Sequence, residues 1–215
     1  MRYVRGMHAP DAVGRAASAG PAAPVRAEAP PGPAVRPSVR AVARRTEDLV
    51  NALTRDDPLP APEGIAGLLR EHGEVEPVVV TVEDVARMRE AALALRAVFA
   101  AEGLDAAVAE LNGLLAHGSG PLRLTAHGGS GPWHPHLDTS DDAPWGEWFL
   151  ASSCLCLAVL VWERQRPPGG VCAAPGCGRV YLSLGSGVPR RYCSRRCATR
   201  ERVAAHRRAR AGGGR

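Results

Sequence analysis

Lysine is missing from this 215-residue chain, so all 27 residues of its Lys+Arg total are arginine. Ala, Gly and Pro are abundant beside it. The bias is one of coding composition and not of mechanism. Aromatic residues are scarce at 4%, although an apolar fraction of 45% is ordinary for a globular protein. Long hydrophobic runs are lacking too. The longest, from Phe149 to Trp162, is 14 residues and contains Ser152 and Ser153. A bilayer span needs roughly 20 residues, so this run reads as a buried helix and no membrane partner is expected. The first residues include Arg2 and Arg5 but no continuous apolar stretch, so no secretory signal is expected. The expected location is the cytoplasm, with thiols reduced. Motifs for catalysis are absent: there is no P-loop, no H-E-x-x-H, no G-x-S-x-G and no strand-linked G-x-G-x-x-G. Gly118-Ser119-Gly120 and Gly128-Gly129-Ser130-Gly131 read as loops, since no helix begins directly after either. An enzyme is not expected.

What is present is uneven charge. The formal net charge of +5 conceals a basic, acidic, basic order. Residues 1–46 hold 8 Arg against 2 acids, residues 47–163 hold 6 Arg against 19 acids, and residues 164–215 hold 13 Arg against one acid, Glu201. The length allows one medium domain and a small module.

Residues 172–210 organise the rest. Cys172 and Cys177 stand at C-x4-C, and Cys193 and Cys197 at C-x3-C, fifteen residues apart. Two chelating pairs of thiolates close a tetrahedron around one structural Zn2+ and tie a segment too small for its own core. Paired spacing in a chain without a secretory signal favours metal over disulfides or plain buried cysteines. Pro175-Gly176-Cys177-Gly178 reads as a zinc knuckle, in which glycine permits positive φ and backbone N–H groups point at sulfur. Cys193 and Cys197, at i and i+4, are expected on one face of a helix with Ser194 near its start. Four thiolates fill the metal's coordination sphere, which suits structure and not water activation. That helix is dense in arginine. Arg190, Arg191, Arg195, Arg196, Arg200, Arg202, Arg207 and Arg208 are the candidate nucleic-acid contacts, mostly to phosphate, with one or two reaching a guanine edge.

These residues resemble the CGNR zinc finger, a bacterial C-terminal module. The shared elements are Cys172-Ala-Ala-Pro-Gly-Cys177, Arg190-Arg191-Tyr192-Cys193-Ser194 and Cys197-Ala198-Thr199-Arg200. Ala198-Thr199 replaces the name-giving Gly-Asn. The resemblance implies a stress-associated transcriptional regulator.

Upstream, residues 1–40 have no sustained apolar period and are expected to be disordered. A helix is expected from about Ser38, with Val39, Val42, Leu49, Val50 and Leu53 inward, until Asp56-Asp57-Pro58 breaks it. Asn51 is expected to be buried and bonded to backbone. A short helix follows from Pro62 to Gly73, with Ile65, Leu68 and Leu69 inward. Thr81 caps a helix to about Glu102 whose stripe is Val85, Met88, Ala92, Leu95, Val98 and Phe99. Another runs from Asp105 to His117, with Val108, Leu111, Leu114 and Leu115 inward and Asn112 expected to be structural. Residues 121–137 predict a β-hairpin with a long loop. His134 and His136 would share one strand face, but spacing fixes no third metal ligand, so these and His127 read as surface polar residues. Residues 141–144 are expected to cap a long helix from Pro144 to about Arg166. Trp148, Leu150, Leu155, Leu157, Leu160, Val161 and Trp162 would bury it, and Cys154 and Cys156 would pack as small apolar residues outside the metal set.

This order, with Leu49-Val50-Asn51 and Leu111-Asn112, resembles the ABATE domain that precedes CGNR fingers. The expected protein is mainly α: an ABATE-like helical domain at 41–166 with one small hairpin, then a four-cysteine finger at 167–210 ending in a basic helix, and a disordered tail at 211–215. Its expected role is zinc-dependent DNA binding in transcription regulation. Two alternatives compete with this. One is an adaptor whose acidic domain docks the basic finger, in its own chain or in a homo-oligomer. The other is an RNA-binding zinc module.

Overall fold

The computed structural model describes residues 38–55, 59–129, 131–185, 187–188 and 190–212. Helix α1, Val39–Leu53, begins where the Ser38 hydroxyl accepts the Ala41 N–H at 3.1 Å. It takes in residues 39 and 40 of the stretch expected to be disordered. Residues 1–37 of that stretch lie outside the described residues, as do the Asp56-Asp57-Pro58 breaker and residues 213–215 of the tail. Thr54 already closes α1, with its N–H on the Val50 carbonyl. Helix α2, Pro62–Glu71, opens on its proline and is followed by Gly73 at φ +90°.

Helix α3, Val82–Ala100, starts with a capping box in which Thr81 and Asp84 bond each other's backbone N–H reciprocally. All six residues of its expected stripe are buried. Helix α4, Leu104–His117, lies at the outside and buries only Ala107 and Leu111, with Leu114 and Leu115 half-buried. Asn112 does not take the structural role expected of it, because it sits on the solvent side of this outer helix and is exposed.

Strands β1 (Arg123–Thr125) and β2 (His134–His136) form the expected antiparallel hairpin, with Arg123 opposite His136 and Thr125 opposite His134. Helix α5, Trp145–Arg164, starts one residue later than expected. Pro144 is its extended N-cap residue, and the nearby acid Asp141 instead bonds Arg123 and Thr125. Trp162, expected inside, is 75% exposed. It falls about 220° round the helix from Phe149, whose face carries Ser153, Cys156 and Leu160.

A second hairpin, β3 (Gly169–Val171) with β4 (Val180–Leu182), is an addition to the elements expected from sequence. Helix α6, Arg195–Gly212, ends the description and reaches two residues into the expected tail.

Helices α3 and α5 form the centre, with α1 and α4 against them; β4 lies on α1 and β3 on α3. Leu49, Leu95, Phe99, Phe149, Leu157, Leu160, Val180 and Leu182 share one core. Burying each such side chain contributes about 1.5–3 kcal/mol. The fit is close where the sheet meets α3: a Cβ on Gly169 would stand 1.9 Å from the Tyr181 carbonyl oxygen and 3.0 Å from Phe99. Among the described residues, α5 alone is long and apolar enough to cross a membrane, yet its Phe149, Cys154, Cys156, Leu157 and Leu160 lie within this core. Burial pushes the Cys154 and Cys156 thiols up to about 12, leaving them neutral packing groups as expected. Arg45 is buried with them. Its guanidinium reaches Glu74 at 2.7 Å and Ser152 at 2.8 Å, and lies 4.1 Å from the Trp148 ring centre.

Candidate metal centre and basic helix

Local chain chemistry brings the four cysteines together in three steps. Cys172 follows β3 directly, and its N–H donates to the Arg179 carbonyl at 2.8 Å, extending the ladder into the loop. The loop turns on Gly176 and Gly178, at φ +69° and +63°, values that glycine adopts without strain. This returns Cys177 toward Cys172, with the Cys177 N–H on the Ala174 carbonyl. The third step fastens the distant pair. The Ala173 N–H donates to the Arg191 carbonyl at 2.8 Å, and the Tyr181 hydroxyl donates to the Arg190 carbonyl. Arg190 itself spans β4 and the second pair, donating to the carbonyls of Leu182 and Cys193.

Ser194 is the N-cap of α6, its hydroxyl accepting the Cys197 N–H at 3.2 Å. Cys193 therefore stands just before the helix and not on its face. The capping serine lies between the two ligands, so only Cys197 is helical. The N–H that points at sulfur belongs to Cys193, which donates to Cys172 Sγ at 3.4 Å.

The sulfurs of Cys177, Cys193 and Cys197 are 3.6, 3.7 and 3.7 Å apart, and all four lie within 4.8 Å of one another. A tetrahedron with Zn–S bonds of about 2.3 Å sets sulfurs about 3.8 Å apart. A disulfide would need about 2.05 Å, and all six cysteines are free. The donors fit one zinc ion, and these four cysteines are the site for it. Burial pushes Cys193 up to about 12, while the Ser194 hydroxyl draws Cys197 down to about 7.

The eight candidate arginines separate by what they touch. Arg190 is engaged as above and lies 5.4 Å from the Tyr181 ring centre. Arg200 donates to the Pro175 carbonyl at 3.2 Å, clasping the knuckle to α6. Arg191 lies 6.0 Å from the Tyr192 ring centre. Arg195, Arg196, Arg202, Arg207 and Arg208 are exposed, with no ion pair or hydrogen bond among the described residues. At about 100° per residue, Arg195, Arg196, Arg200, Arg202 and Arg207 spread over about 160° of helix, away from Cys197 and Ala204. Beyond the cysteine cluster, α6 has no substantial packing against another described helix or strand.

Asn51 is the residue whose role sequence could give only in part. It is 3% exposed and bonds backbone as expected, but that backbone belongs to Val180 in the finger.

The comparisons with known families agree with this geometry. Residues 170–210 match the CGNR zinc finger family. Residues 43–163, more than half of the chain, match the ABATE family, described as "Putative stress-induced transcription regulator". No curated protein matches the chain. The chain thus belongs to the ABATE family, with a CGNR zinc finger over residues 170–210.

Proposed function

We propose that the protein is a transcriptional regulator that binds duplex DNA through α6, in the cytoplasm, and that this binding depends on zinc. The observation that carries the reading is a helix of 18 residues fixed at its N-terminal end by the metal centre and lined with exposed arginines. When bound, zinc holds the two halves of the finger together. Cys197 then sets where α6 begins, and Ser194 caps it. Arg200 and Arg190 fix the helix and the second cysteine pair against the knuckle and β4. Arg195, Arg196, Arg202, Arg207 and Arg208, with Arg191 beside them, supply the phosphate contacts. Phosphate contacts of this kind orient a helix on the duplex, and a side chain that reaches a base edge adds sequence preference.

The test is fluorescence anisotropy of a labelled duplex across a salt series, with wild-type protein and with Cys172→Ser. Binding that weakens with salt at a log–log slope of about −0.9 per phosphate contact, and that is lost in the variant, supports the reading. Absence of binding at low salt by zinc-loaded protein overturns it and favours a protein partner for the basic helix. Stronger competition by structured RNA than by duplex DNA would reassign the partner to RNA.

A further inference from the structure

The β1–β2 hairpin gathers three imidazoles that lie 127 to 136 in the chain, well before the finger. His134 Nε2 lies 3.2 Å from His127 Nε2 and 2.9 Å from His136 Nε2. One nitrogen from each ring falls within 4.8 Å of the other two. The remaining nitrogens are turned outward onto oxygen. His136 Nδ1 lies 2.8 and 2.9 Å from the two carboxylate oxygens of Asp138. His134 Nδ1 lies 2.8 Å from the Pro132 carbonyl oxygen, and His127 Nδ1 lies 3.5 Å from Asp141 Oδ2.

A carbonyl oxygen and an ionised carboxylate can only accept, so His134 and His136 donate from Nδ1 and present bare Nε2 lone pairs to each other. Two lone pairs 2.9 Å apart repel unless a proton or a metal cation lies between them. Inward Nε2 with outward Nδ1–H on carboxylate or carbonyl is also how outer groups orient metal-ligating histidines. The acids are themselves ordered. Arg123 bonds both Asp138 and Asp141, Thr125 donates to Asp141 at 2.8 Å, and Asp138 is 2% exposed. Zn–N bonds of about 2.0–2.1 Å in a tetrahedron set nitrogens about 3.3 Å apart, close to the 3.2 and 2.9 Å that separate His134 from its two neighbours.

We propose that His127, His134 and His136 form a second metal site, for a divalent transition cation of the zinc type. The cation is held through Nε2 of each ring, with a fourth position open to water or an anionic oxygen ligand. Asp138, Asp141 and the Pro132 carbonyl are positioning groups. The site is chemically distinct from the finger: three neutral nitrogen donors with a place left over, against four thiolates with none.

Metal content and Co2+ spectra of the full-length chain test the proposal. Equilibrated with excess Zn2+ and then dialysed, the wild type is expected to retain two equivalents, and His134→Gln and His136→Gln one each. Loaded with Co2+, the four-thiolate site gives charge-transfer absorption in the near ultraviolet. The second equivalent is expected to add weak visible bands and no further thiolate absorption, and these bands alone should vanish in the variants. A strand variant that unfolds the whole chain would lose the thiolate band as well. His127→Gln, outside both strands, then gives the deciding measurement. One equivalent in the wild type, or a second equivalent retained in all three variants, overturns the proposal.

Discussion

Asn51 of α1 and Val180 of β4 exchange two hydrogen bonds across 129 positions of chain, the Asn51 amide donating at 3.1 Å and accepting at 2.9 Å. A side-chain amide here satisfies both backbone groups of a buried strand residue, as a neighbouring strand would. Asn51→Ala orphans both groups, each worth about 1–3 kcal/mol when buried and unpaired. Asn51→Asp keeps the acceptor but loses the donor and buries a charge, so it is expected to be at least as costly. Urea unfolding followed by circular dichroism checks both, and an Ala variant as stable as wild type would contradict the pairing.

The finger arginines are expected to fall into two classes. Arg196→Ala and Arg207→Ala should weaken DNA binding, and each should lower the salt slope by about 1 while leaving metal retention intact. Arg190→Ala and Arg200→Ala should first loosen the finger, seen as faster zinc loss to a chelator. Arg190→Lys should rescue little, because an ammonium has no fork to reach the Leu182 and Cys193 carbonyls together.

Arg45 is a buried cation whose pairing with Glu74 and Ser152 offsets its desolvation; burial lowers its pKa from the ordinary arginine range. Truncation to Ala strands Glu74 and is expected to cost about 3–5 kcal/mol. Arg45→Met, which fills the space against Trp148, should cost less. Comparing the two melting curves separates loss of the ion pair from loss of volume.

Zinc affinity should rise with pH. Metal binds thiolates, so protons compete for the set. Cys197, drawn down to about 7, is largely ionised above neutrality, whereas Cys193, pushed up to about 12, must release its proton as metal binds. Moving from pH 8 toward 6 adds protons to the free set and should shift zinc to a competing chelator. Affinity unchanged across that range would mean that the ligands are not all thiolates.

Much of the local structure was readable because its causes are local. The Thr81–Asp84 box, the α3 stripe and the glycines flanking Cys177 each act within a few residues of themselves. The cysteine pairs were readable because a tetrahedral ion imposes its own spacing. Trp162 misled because bulk and apolarity say nothing about helical phase. Asn112 misled because the same residue type serves as a buried bridge in α1 and as surface in α4. The partner of Asn51 and the meeting of His127 with the strand histidines depend on tertiary register, which no window of sequence contains.

Val180 and Leu182 lie in the same core as Leu49 and Phe99, and Val180 stands three residues beyond Cys177. Metal retention and the integrity of the helical layer are therefore linked equilibria, and such linkage is reciprocal. The factor by which bound zinc favours the packed layer is the factor by which the packed layer favours zinc. Heat or oxidation that releases zinc weakens the helical layer in return. The cysteine cluster is thus tied through β4 to a helical core that is a separate cluster among the described residues.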